Sequence, residues 1–243
     1  ARDLIQIVKN RGHGPLPQVP FGRALYRIRS MKRNYSPIDR FIAAIDEGLR
    51  VSTGEAPEPF RANPAGELEQ AELVEQERAH TAGLMRINHT GEVCAQALYA
   101  GLAATARDDA TRAALQLGGV EESDRVSWCE DRLKELDSRP SLLNPLWYAG
   151  SFAIGAVAGI AGDDWSLGFV KETENQVEAH LADHIEKLPE KDARSQAILD
   201  QMKVDEAKHA DMAEEAGARD LPEGVKKAMA FTAGIMKALA YRV

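Results

Sequence analysis

Glu206 and His209 lie three residues apart in VDEAKHADM, residues 204–212. Residues i and i+3 are neighbours on a helix face, so a helix here presents a carboxylate and an imidazole together. Both are ligands for iron or zinc. Alone, a Glu-x-x-His pair is weak, because charged helices carry many such pairs in solvent. Its company strengthens it. Glu92 lies in NHTGEVCAQALYAG, and Glu122 follows thirty residues later in EESDRVSWCEDRL. Glu174 lies in FVKETENQVEAH, and Glu206 follows thirty-two residues later. A glutamate, then a second about one helical hairpin on, occurs twice, which is a repeat in chemistry rather than in letters. A di-iron carboxylate site in a four-helix bundle draws on this supply: one Glu from each of two helices and Glu-x-x-His from each of the other two. Carboxylates suit iron, and open positions receive O2. One position breaks the pattern. The first half needs a histidine at 125 and has Arg125, which stays protonated and cannot ligate a metal. Two of the glutamates also have a plain reading. Glu122 sits among Glu121, Asp124, Glu130 and Asp131, and Glu174 has Glu172 and Glu178 nearby, as on solvated faces.

The elements that must position these residues read as helices. Helical patterns run from Glu67 to Ala106, with a break expected near His89–Gly91, and from Asp108 to Leu136. Others run from Trp165 to Leu188, from Lys191 to Ala216 and from Leu221 to Tyr241, with Pro189 and Gly217 as stops. SPIDRFIAAIDEGLR, 36–50, reads as a short amphipathic helix, and the Pro- and Gly-rich 51–66 as a linker. No alternating strand pattern appears, so the expected class is all-α. Residues 141–162, SLLNPLWYAGSFAIGAVAGIAG, carry no charge and suit a crossover between helix pairs. Asn144, Pro145 and four glycines interrupt that run, so a buried or membrane-surface helix is expected there rather than a span. The C-terminal VKKAMAFTAGIMKALAYRV mixes lysines with apolar residues and is compatible with lying on a membrane or packing on the bundle.

The composition agrees. Aromatic residues are only 6% of 243, so the core is aliphatic and Ala-rich. The net charge of −8 argues against general nucleic-acid binding. Two cysteines, Cys94 and Cys129, lack C-x-x-C spacing and read as small packing residues. Residues 1–35 hold eight Lys or Arg against one acid and read as a basic, disordered extension or a transit-like segment. Residues 36–243 are then the functional domain.

LMRINHTGEVCAQALYAG, SRPSLLNPLWYAGSFAIGAVAGIAGDDWSLGFVKETENQV and MKVDEAKHADMA resemble the demethoxyubiquinone hydroxylase family. These are the flavin-independent di-iron monooxygenases of ubiquinone biosynthesis, and the likeness is to the bacterial branch. It covers nearly everything from Ser36 to Val243. It implies a ferritin-like four-helix bundle with accessory helices, and O2-dependent hydroxylation of demethoxyubiquinol. It implies two iron ions (Fe2+) per chain, held by Glu92, Glu122, Glu174, Glu206 and His209. His180 matches a family histidine near the site, behind the ligands. The family's remaining histidine ligand falls at Arg125, which bears on activity and not on fold. His89, three residues before Glu92, is a stand-in to weigh. Peripheral attachment to the membrane that holds the substrate is also implied, on the cytoplasmic face of a cell membrane or the matrix face of a mitochondrial inner membrane. Partner proteins of the same biosynthesis or a homo-oligomer are compatible with this.

Two rival readings follow from the residues. Arg125 favours a quinone-binding or scaffolding member of the same family, and the repeat alone would also fit an iron-storage protein. His184 reads as a surface residue. Trp128, Trp147 and Trp165 read as core or interface aromatics, with a quinone tunnel as the alternative.

Overall fold

The computed structural model describes residues 59–243 and, before them, positions 39, 42, 46 and 50. The basic segment 1–35 lies outside the described residues, as does most of the stretch 36–50 where a short helix is expected. The four isolated positions are helical and exposed.

Among the described residues the protein is all-helical. Its elements are α1 (Glu75–Thr105), α2 (Asp109–Glu135), α3 (Asn144–Ile160), α4 (Asp163–Lys187), α5 (Ala193–Glu215) and α6 (Glu223–Ala240). Local chemistry sets several ends. Asp108 caps α2 by accepting from the Thr111 amide at 2.8 Å, and Asp192 caps α5 by accepting from Ser195 at 3.1 Å. Pro145 stands in the first turn of α3, where its missing amide costs nothing. Gly217 follows α5 with φ +97°, a conformation that L side chains rarely adopt.

Two boundaries depart from expectation. α1 starts at Glu75 rather than Glu67, and it runs unbroken through His89–Gly91. Tertiary contacts hold that stretch: the buried Thr90 hydroxyl donates to Asn144 Oδ1 at 2.9 Å, and the Asn144 amide meets His89 Nδ1 at 3.3 Å. The end of the supposed linker is also not idle. Ala65 is fully buried in the core, and Phe60 and Arg61 bind α2 and α5.

α1, α2, α4 and α5 form the ferritin-like bundle. α1 packs on α2, and α4 packs on α5. Met85, Trp128, Cys129, Leu133, Leu181, Ile198, Leu199 and Met202 bring all four into one buried cluster. α3 joins the two halves and packs closely on α1. A Cβ on Gly155 would stand 2.5 Å from the Leu98 carbonyl, and one on Gly101 2.8 Å from the Ala156 nitrogen, so glycine lets the two backbones touch. The uncharged segment is thus buried on one side only. Leu146, Ile154, Val157 and Ile160 on its other side are exposed, as are Phe231, Ile235 and Leu239 of α6. Among the described residues no helix is long and apolar enough to cross a membrane.

Candidate metal centre

Each bundle helix delivers a glutamate to the interior: Glu92 from α1, Glu122 from α2, Glu174 from α4 and Glu206 from α5. Their exposures are 2, 0, 1 and 1%, which removes the solvated-face reading for all four. His209 follows Glu206 by less than one turn, and a tenth of its side chain is exposed. The structure therefore gathers all five expected ligands.

Their ligand atoms fall into two groups that share Glu122. Glu122, Glu174 and His209 offer atoms within 4.8 Å of one another, and so do Glu92, Glu122 and Glu206. Neighbouring side chains aim them. Tyr99, buried seven residues after Glu92, donates its hydroxyl to Glu174 Oε1 at 2.7 Å. Glu121 accepts from His209 Nε2 at 2.8 Å. That bond holds the imidazole by one nitrogen and leaves Nδ1 facing Glu122 Oε1 at 3.7 Å.

Arg125 lies inside this ring with no exposed surface. Its Nε stands 2.9 Å from Glu92 Oε2 and 3.2 Å from Glu206 Oε1, and Nη2 pairs with Glu122 Oε2. Of the neighbouring acids on its own helix, Glu121, Glu122 and Asp124, it pairs with Glu122. Burial works against the guanidinium charge, but Glu122, Glu206 and Glu92 outweigh it and keep it firmly protonated.

The carboxylates respond to the same forces. Burial pushes the Glu174 carboxyl up to about 7, Glu122 adds repulsion, and the Tyr99 hydroxyl and Arg125 oppose. Burial also raises Glu122 and Glu206 well above the carboxylate range; Arg125 pulls against it and neighbouring carboxylates reinforce it. More acid is packed here than one guanidinium neutralises. Glu122 Oε1, Glu174 Oε2, Glu206 Oε2 and His209 Nδ1 lack hydrogen-bond partners among the described residues. Buried polar atoms are rarely left so, and the donors fit a cation. These buried Glu and His clusters can hold a metal ion. The guanidinium contacts every member of the Glu92–Glu122–Glu206 group and, of the other group, only Glu122.

The other candidates have neighbours of their own. The His180 ring lies against that of His184, with centroids 5.1 Å apart and planes tilted by 53°. His184 is 4% exposed, not a surface residue, and its Nδ1 meets Asn88 Oδ1 at 2.9 Å. His89 is bound to Asn144, as above. Trp128 is buried core, and Trp165 lines an apolar groove with Ile154, Val157, Phe169 and Val225. Cys129 is fully buried, and Cys94 packs half-buried beside Trp147.

Three supporting residues are not apparent from the sequence reading. Tyr99 shares a helix face with Glu92 at i+7, a spacing that could have revealed it. Glu121 carries no signal beyond its acidity. Arg61 sits in the linker and carries none: it pairs with Asp124 at 2.8 Å and Asp205 at 2.6 Å, and lies 4.7 Å over the Trp128 ring.

The pattern of the family described as "Ubiquinone biosynthesis protein COQ7" matches residues 79–240, the span that holds all five donors. A protein named 3-demethoxyubiquinol 3-hydroxylase from Xanthomonas campestris pv. campestris (strain 8004) is 60% identical over 210 residues, 86% of this chain and 96% of that one. Proteins of the same name from Xanthomonas oryzae pv. oryzae (strain PXO99A) and Xylella fastidiosa (strain 9a5c) are 57% and 52% identical, and 98% and 97% of their lengths are covered. With more than half the chain matched by the family pattern, and such relatives matched nearly end to end, the chain belongs to the COQ7 family of ubiquinone biosynthesis proteins.

Proposed function

We propose that this chain hydroxylates 3-demethoxyubiquinol with O2. The observation that carries the reading is the buried ring of four glutamates and one histidine, one or more from each bundle helix, with several donor atoms left unpaired. Iron is the proposed cofactor, in the pocket that Glu92, Glu122, Glu174, Glu206 and His209 line. When bound, it supplies the activation of O2 that a closed-shell quinol ring needs. One oxygen atom goes to the ring carbon and the other leaves as water, with two electrons and two protons from a reductant; the quinol is itself a candidate donor.

The protein's own part is positioning and exclusion. Val93, Ala97, Val126 and Tyr148 form a buried apolar cluster where α1, α2 and α3 meet, and the 0–2% exposure of the four glutamates keeps bulk water from the pocket. Tyr99 holds Glu174 by one oxygen and frees the other. Phe169 lines the outer groove and packs against the buried cluster that includes Tyr99. That side is the proposed approach for the quinol, whose apolar tail would remain against α3 and α6. The exposed apolar side chains of those helices support peripheral contact with the membrane surface that holds the substrate.

The test is a demethoxyubiquinol analogue incubated with the iron-loaded chain, reductant and 18O2. Product carrying one labelled oxygen is expected. No labelled product with any reductant tried would overturn the assignment.

A further inference from the structure

Arg125 touches only one side of the pocket. Its guanidinium pairs with Glu92, Glu122 and Glu206, the same three residues that make up one of the two groups close enough to hold a metal. The other group, Glu122, Glu174 and His209, keeps Glu122 Oε1, Glu174 Oε2 and His209 Nδ1 without hydrogen-bond partners among the described residues. Glu122 divides the two: Oε2 pairs with the guanidinium, and Oε1 lies 3.7 Å from His209 Nδ1.

We infer that the Arg125 guanidinium is a built-in cation in the place of one metal ion, and that this chain binds a single divalent ion at Glu122, Glu174 and His209. Arginine does not deprotonate in a protein, so it cannot yield its carboxylates by losing charge. It has no exposed surface through which to withdraw. A dication beside it would meet a fixed positive charge, and Glu92 and Glu206 would have to serve both. The remaining three donors, one imidazole and two carboxylates, match the protein ligand count of catalytic metal sites that keep positions open. The inference rests on reading the pocket as an iron centre, and it changes how many ions that centre holds.

The full chain is loaded anaerobically with Fe(II), freed of loose metal and assayed for iron by mass spectrometry. One ion per chain is expected, and His209→Ala should lose it. Exposure of the loaded protein to nitric oxide should give the electron-spin signal of isolated ferrous ions. Two ions per chain, a spin-coupled pair, or no bound ion would overturn the inference. Arg125→His, checked for folding by circular dichroism, should bind two; a folded variant that still binds one would also overturn it. The stoichiometry and the signal are read on the wild-type chain, so a variant that fails to fold leaves the test intact. Neither needs turnover: one bound ion without hydroxylated product would sink the hydroxylase reading and leave this inference standing.

Discussion

Arg125 Nε lies 2.9 Å from Glu92 Oε2 and joins α2 to α1 through two buried side chains. Removing one partner of such a pair leaves an uncompensated charge in a dry interior. In the metal-free protein, Arg125→Met is expected to cost about 3–5 kcal/mol at neutral pH. The stranded carboxylates can escape by binding protons, so the loss should shrink as pH falls. Urea denaturation at pH 7 and pH 5 measures both effects. A variant as stable as wild type at pH 7 would contradict this account.

His89 gives a pH dependence of opposite sign. Burial, with a smaller push from Lys134, lowers its pKa from 6.5 to about 4. The folded state therefore binds fewer protons than the unfolded state between those values. Its contribution is fully present above pH 6.5 and is lost as pH falls toward 4. The loss amounts to roughly 3 kcal/mol at most. His89→Gln keeps an acceptor for the Asn144 amide and removes the titration. Its stability should fall less steeply than wild type over that window, and parallel curves would refute the assignment.

Arg61 ties α2 to α5 at residues adjacent in sequence to the pocket, since Asp124 precedes Arg125 and Asp205 precedes Glu206. Arg61→Ala should cost about 1–2 kcal/mol and weaken iron binding by loosening the spacing of Glu122 and Glu206. Arg61→Lys should recover only part, because one ammonium cannot span two carboxylates and cover the Trp128 ring as a planar guanidinium does. Full recovery by lysine would show that charge alone matters.

Phe231 and Val157 are 71% and 70% exposed. If α3 and α6 meet a membrane surface, Phe231→Asp should weaken binding to phospholipid vesicles roughly tenfold, the effect of withdrawing one large side chain from lipid. Val157→Asp should add to it, and neither should alter the stability of the protein in solution. Vesicle co-sedimentation decides, and unchanged binding in the double variant would rule these faces out.

Much of the bundle is legible in the order of residues. Asp108, Pro189 and Gly217 mark helix ends through local backbone chemistry, and α2, α4, α5 and α6 fall within about two residues of expectation. α1 is harder. Its middle, His89–Gly91, reads as a break because the residues that steady it, Asn144 above all, come from α3. His184 misleads for the same reason: a histidine in a charged helix looks solvated until Asn88 appears opposite it.

The candidate donors are legible in the sequence. Residue type and a thirty-residue spacing pick out four glutamates and a histidine on four helices, the resemblance gives them as a set, and their burial in one place is decided by packing. The same pattern exposes Arg125 as the one position that cannot ligate. What that arginine does instead depends on packing. Its partners Glu92 and Glu206 are 33 and 81 positions away in the chain, and one helix's pattern says nothing about which neighbours meet it. Packing brings three helices together around the guanidinium and leaves the donors on the far side of Glu122 unpaired, because a pair is a property of space rather than of order along the chain.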